Sequence, residues 1–244
     1  MTRHQWHAVT ALAAMTTLPA AVANAALTAS SSGSALDANI VLNGQTLSLP
    51  SVGLAAGSAP PAYDVALPAA SYSKSAGTSS GSFTVNASAK TVVDTANSKT
   101  ATTASIMATA SSSIGSLSTT LISKTFGTVL TVTGTKIASK ASFKLTKAGV
   151  GSSAGTTKIT KLTINAPLLG INNVTFAGEP SINQVIYQNT GKTITIYLNA
   201  QTVTKAGSKE TSIKVDAVDV HVANFSVAGN TVSGDIEIGS CIAN

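Results

Sequence analysis

Beyond residue 25 the chain is a succession of short β-like stretches separated by turn signals, and hardly any segment carries a helical period. Ile40-Val41-Leu42, Asn43-Gly44 and Gln45 to Leu49 read as a tight hairpin, because Asn-Gly supplies the positive-φ positions of a type I′ turn. Residues 183–187 and 192–198, joined by Gln188-Asn189-Thr190-Gly191, read as a second hairpin. Phe83, Val85, Ala87 and Ala89 alternate with polar residues, as in a half-buried strand, and 128–133, 142–146, 158–165, 213–222, 224–227 and 231–238 are also strand-like. Many short strands with turns spaced about 8 to 12 residues apart predict an all-β, antiparallel, sandwich-like domain. A parallel β-solenoid is the alternative. It requires a fixed repeat, and the strands show none.

Two regions carry a weaker signal. The Pro/Ala/Gly-rich stretch from Pro50 to Pro68 is expected to be irregular surface chain, since proline cannot donate to a ladder. Ala69 to Gly81 reads as a Ser/Gly-rich link. Residues 95–120 are mostly Ala, Ser and Thr, and their frequent β-branched threonines favour strand over linker. Low-complexity sequence therefore occupies roughly 50–82 and 95–120 of the chain.

The first 25 residues differ in kind. Arg3, His4, Trp6 and His7 precede an apolar, Ala-rich run from Ala8 to Val22, and Ala23-Asn24-Ala25 has the small residues of a cleavage site. This is the pattern of a secretory signal peptide, which leaves 26–244 as a single exported β-rich domain. No later run reaches transmembrane length, and no anchoring motif follows. Removing Arg3 takes the formal charge from +6 to +5. The remaining basic residues are lysines dispersed along the sequence, without a basic run or interleaved aromatics, so nucleic acid is not an expected partner. Cys241 is the one cysteine, so no internal disulfide can form. It reads as a small apolar residue after the last strand, with a modified thiol or an intermolecular bridge as alternatives.

Few residues carry chemistry. Asp219 and His221 lie two apart and share a strand face, as a carboxylate-oriented imidazole requires, but no Gly-x-Ser-x-Gly elbow supplies a nucleophile. Asp235 and Glu237 also share a face and are the candidate metal or acid–base carboxylates, although more carboxylates close in sequence would be expected of a Ca²⁺ site. Both pairs read first as solvated strand faces. One mature His and one Cys cannot supply a zinc set, and Gly191-Lys192-Thr193 lacks the glycine five residues earlier that a phosphate loop needs, where Ile186 stands. Three Asn-x-Ser/Thr sequons, at Asn86, Asn173 and Asn224, are expected by chance in so Asn- and Thr-rich a chain. No catalytic residue, metal or cofactor is assigned.

Thr-Thr-Lys-Ile-Thr-Lys-Leu-Thr-Ile-Asn-Ala (156–166), Thr-Ile-Thr-Ile-Tyr-Leu-Asn-Ala-Gln (193–201), Ser-Ile-Lys-Val-Asp-Ala-Val-Asp-Val-His-Val (212–222) and Gly-Asp-Ile-Glu-Ile-Gly-Ser (234–240) carry a likeness. With the Ser-Ile-Gly-Ser-Leu-Ser stretch (113–118), they make the chain resemble the choice-of-anchor P family of secreted bacterial proteins. The resemblance implies an exported protein of unknown molecular role, often attached to the cell surface by differing C-terminal signals; no such signal follows Ser240. The expectation is a non-enzymatic extracellular or cell-surface protein with a structural, matrix or adhesive role, open to self-association or to holding a surface polymer. A carbohydrate- or ligand-binding module is the alternative, with Tyr72, Tyr187 and Tyr197 as stacking candidates, and a secreted hydrolase is the third reading.

Overall fold

The computed structural model describes residues 27–67, 70–77, 83–102, 105–227 and 229–244; the signal segment and its cleavage site lie outside the described residues. Strands β1 (Ala29–Leu42) and β2 (Gln45–Val52) form the expected hairpin, with φ of 48° at Asn43 and 78° at Gly44. β3 (Ala55–Ala59) pairs with the first part of β1. The chain then crosses to a second sheet for β4 (Asp64–Ala66) and β5 (Ala70–Gly77). A meander follows in that sheet: β6 (Phe83–Thr102), β7 (Ser105–Ser123), β8 (Gly127–Thr146), β9 (Gly151–Ala166) and, after a 3-10 turn (Pro167–Leu169), β10 (Ile171–Gly178). It returns for β11 (Gln184–Gln188), β12 (Ile194–Ala206), β13 (Lys209–Val227) and β14 (Asn230–Ala243).

Sheet A runs β11-β12-β13-β14-β1-β2 with β3 on β1, and sheet B runs β10-β9-β8-β7-β6-β4 with β5 on β6. Every pairing among the described residues is antiparallel, so the domain is an all-β sandwich and the solenoid alternative falls. β1 and β14 pair along most of their lengths, which ties the two ends of the domain together. Two expectations need correction. Within 50–68 and 69–81, the end of β2 and strands β3, β4 and β5 replace the expected irregular chain, while 60–63 are irregular and 68, 69 and 78–81 lie outside the described residues. These strands lie at sheet margins, where a proline need not donate, and Pro60 and Pro61 fall in the connection after β3.

The strands are longer than the sequence pattern suggested, reaching 20 residues in β6 and β8 against a usual five or six. What divides them in sequence is a change of phase, not an end. In β8 the buried residues are Leu130 and Val132 on one side, then Ile137, Ser139, Ala141 and Phe143 on the other, so the inward positions switch from even to odd around Lys136. β6 switches at Thr91, β7 at Gly115 and β9 at Thr160, and these four residues fall in one row across sheet B because the pairing keeps its register on both sides. Thr91 and Lys136 take φ of 54° and 48° there, the left-handed region that β-branched and long side chains rarely adopt.

Sheet A does the same along Ala35, Gly239, Ala217 and Asn199, with φ of 61° at Gly239 and 50° at Asn199. The two rows face each other. Ser139 Oγ, in sheet B, donates to the carbonyl of Gly239 in sheet A at 2.5 Å, and a Cβ at Gly239 would stand 3.4 Å from Ser139 Oγ. The sandwich therefore has a waist between two cores. One core is large and made of Leu, Ile and Val, including Leu36, Leu47, Ile114, Ile164, Ile196 and Ile238. The other is smaller and alanine-rich, around Phe143 with Ala108, Ala110, Ala141, Val215 and Cys241.

Small side chains let the sheets close up in the second core. A Cβ on Gly33 would stand 2.7 Å from the carbonyl oxygen of Ser111, so the backbones of β1 and β7 nearly touch. Residues 95–102 and 105–120 are thus strand, as their threonines indicated, and their Ala and Ser are the thin layer that this approach requires. Opposite responses are expected at Gly33 and Thr91. Gly33→Ala forces the sheets apart and should lower stability by about 1–3 kcal/mol, while Thr91→Gly relieves a left-handed β-branched residue and should raise it by about 1 kcal/mol. Urea denaturation of the two variants measures both; a Thr91→Gly variant less stable than the parent contradicts the strained row.

Candidate functional site

The acidic residues collect on the outer face of sheet A. The chain has 9 Asp and Glu in all, and Asp37, Asp216, Asp219, Asp235 and Glu237 lie there on β1, β13 and β14. The faces are those expected from the sequence: Val220 is buried in the core and the His221 side chain is half-exposed outside. His221 does not engage Asp219. Its Nδ1 lies 2.5 Å from Oδ1 of Asp235, its cross-strand neighbour on β14. Glu237 is ion-paired with Lys214, which also lies 3.3 Å from Asp216 Oδ2. Asp235 and Glu237 therefore serve two different pairs, and among the described residues no three His, Cys, Asp or Glu are placed to hold a metal ion.

Burial pushes the Asp219 carboxyl up to about 7, helped by the negative charge of Asp235, Asp216 and Glu237. Burial also lifts Asp216 to about 6, against the pull of Lys214. At Lys214 burial favours the neutral amine, but Asp216 and Glu237 outweigh it and hold the ammonium above its ordinary value. The arrangement stores charge against itself and holds it with one lysine; it offers no aligned nucleophile and base.

The three tyrosines do not form a stacking platform. Tyr72 on β5 and Tyr187 on β11 pack against the large core from different sheets, and Tyr197 on β12 is cross-strand from Asp219 on β13. Inside the waist, Asp94 is wholly buried and neither carboxylate oxygen has a hydrogen-bond partner, nor does Ser112 Oγ. Burial raises the Asp94 carboxyl to about 7. Cys241 is a buried free thiol beside Ser139, and burial pushes it up to about 12, which fits its reading as a small core residue at the end of the last strand.

The outer face of sheet B is the opposite of that of sheet A, and the sequence concealed it. Lys90 and Lys99 on β6, Lys136, Lys140 and Lys144 on β8, and Lys158 and Lys161 on β9 are all exposed there. Register brings them together. Lys99, Met107 and Lys144 form one row across the sheet, Thr95, Ser111, Lys140 and Thr156 another, Ser113, Ala138 and Lys158 a third, and Lys90, Ser116, Thr135 and Lys161 a fourth. Along β8 the lysines recur every four residues, about 13 Å apart at strand rise.

The lysines were expected to be dispersed, and in space they are gathered. The reading that no basic cluster exists is corrected on that point. The carboxylates near this face, Asp64 and Glu179, sit at its margins, and Glu179 lies 3.2 Å from Lys158. Between the lysines the floor is built from small hydroxyl residues, which leaves two shallow troughs meeting at Lys140. One, of about 470 Å³, runs past Ser111, Ser113, Ala138 and Thr156 to Lys158; the other, of about 330 Å³, runs past Met107 and Asn97 to Lys99 and Tyr63.

No family model matches the chain, and no curated protein matches it. No helix among the described residues is long and apolar enough to cross a membrane.

The raised carboxyls fix the sign of the pH dependence. Asp94, Asp216 and Asp219 each bind a proton more tightly in the folded chain than in the unfolded one. Their contribution to stability is complete below about pH 4 and is lost as pH rises through about 7. Denaturation at pH 4.5 and pH 8 should find the protein more stable at the lower value, with Asp94→Asn removing a large part of the difference. Stability that rises with pH across this window contradicts the buried carboxyls.

Proposed function

We propose that the chain is an exported, non-enzymatic β-protein of structural or adhesive role that holds its surroundings through the outer face of sheet B. The observation that supports this best is the segregation of charge: seven exposed lysines on one sheet face and five carboxylates on the other. A long face carried by 16- to 20-residue strands suits contact with something extended rather than with a small substrate. The carboxylates that suggested hydrolysis are engaged in His221–Asp235 and Lys214–Glu237 pairs, which favours the adhesive reading over the hydrolase. The signal-like first 25 residues and the resemblance to the choice-of-anchor P family point to the same exported role.

Expressed from its full sequence in a bacterial host that exports it, the protein should fractionate with the cell envelope or extracellular matrix. The Lys140→Glu/Lys144→Glu/Lys158→Glu variant should appear in the medium instead, with an unchanged thermal midpoint. A parent protein found only in cell-free medium, or a charge-reversed variant retained as well as the parent, contradicts the adhesive reading.

A further inference from the structure

The two troughs on sheet B share a chemistry that narrows the partner. Their rims carry the ammonium groups of Lys99, Lys140 and Lys158, with one carboxylate at the edge of each, Asp64 on the smaller and Glu179, ion-paired with Lys158, on the larger; their floors are hydroxyls and small side chains, with Ser111, Ser113 and Thr156 on the larger one. Resting on the reading of this face as the contact surface, we propose that the troughs bind a linear acidic polysaccharide, its carboxylates on the lysines and its sugar hydroxyls on the Ser/Thr floor. Chain direction follows from the geometry. The troughs lie on either side of Lys140 and together cross the strands from Lys158 on β9 to Lys99 on β6, so the polymer lies obliquely over four strands.

Three features select this ligand among polyanions. Single-stranded nucleic acid is held by aromatic side chains on which bases stack. Among the described residues, Tyr63 is the one aromatic that borders the troughs, at the far edge of the smaller one, where its hydroxyl lies 2.8 Å from Ser31 Oγ. An anionic membrane is gripped by apolar side chains inserted among lipid tails in addition to charge. Among the described residues Met107 is the one large apolar side chain lining these troughs, and it lies between Lys99 and Lys144. A hydroxylated polymer makes use of what is there: closely spaced serine and threonine hydroxyls at the level of the sheet, with charge above them. The acidic face of sheet A repels the same polymer, which restricts binding to one side of the sandwich.

The direct test is equilibrium binding of the purified protein to polygalacturonate. Neutral dextran, single-stranded DNA and vesicles of anionic phospholipid are measured in parallel. Polygalacturonate should bind, dextran should not, and DNA and vesicles should bind at least tenfold more weakly. With three lysines engaged, affinity should fall on the order of tenfold between 50 and 200 mM salt. Lys99→Gln/Lys140→Gln/Lys158→Gln should lose at least tenfold in affinity at an unchanged thermal midpoint, and Ser111→Val/Ser113→Val should lose affinity while the salt dependence stays. Lys192→Gln/Lys205→Gln, away from sheet B, should bind as the parent does.

DNA or vesicles binding as tightly as polygalacturonate overturns the polysaccharide but leaves the adhesive face standing. So does a valine pair that binds as well as the parent, since the floor then contributes nothing. Failure of every polyanion to bind, together with loss of lysine-dependent retention on the cell envelope, removes both readings.

Discussion

The fold depends on one constraint, the coincidence of the two rows where strand phase reverses. Each central strand of sheet B takes one residue out of its in–out alternation at the level of Lys136, and each central strand of sheet A does so at the level of Gly239. Because neighbours slip together, the ladders resume in the same register on both sides, and only the row residues themselves drop out of the pairing. A slip in one strand alone would turn half of its side chains to the wrong face. Rows in both sheets, facing one another, give a domain two cores of different thickness that share one set of strands. The polar residues at the waist, among them Asp94, Ser112, Ser139, Thr157 and Asn199, are buried between those cores. Thr157 Oγ1 donates to Asn199 Oδ1 at 3.1 Å, which ties the sheets at the waist as Ser139 to Gly239 does.

The same constraint sets the lysine face. On β8, Lys140 and Lys144 are outward because the inward positions are odd beyond Lys136, and had the phase of the first half continued they would point into the core. Lys136 itself is exposed at the reversal. On β9, Lys158 lies before the slip at Thr160 and Lys161 just after it, and both face outward. The slip thus allows lysines at mixed even and odd positions to share one surface.

Much of this was legible in the sequence and some was not, for identifiable reasons. The class and the two hairpins were legible because Asn43-Gly44 and Asn189-Thr190-Gly191 are turn chemistry that operates locally. The outward His221 and buried Val220 followed from alternation. Strand lengths were not legible, because a phase reversal at Thr91 or Lys136 breaks the period without any Gly, Pro or Asn to mark it. The strands within 50–77 were missed because proline and glycine argue against a central strand but not against the marginal β3, β4 and β5. The basic face was hidden because lysines on β6, β8 and β9 meet only through register, and spacing along the chain carries no trace of that. His221 pairing with Asp235, 14 residues on, rather than with Asp219 is the same lesson on sheet A. A regular i, i+4, i+8 run of Lys136, Lys140 and Lys144 was the one available hint of the lysine face.

Thiol labelling along β8 tests the paired reversal most directly. In a Cys241→Ala background, single cysteines are placed in turn at Thr131, Val132, Thr133, Ala138, Ser139 and Lys140, and the native protein is exposed to a charged thiol reagent. The account predicts rapid labelling at 131, 133, 138 and 140 and protection at 132 and 139, so that the accessible positions change from odd to even across Lys136. Labelling that keeps one parity through the whole strand would contradict it.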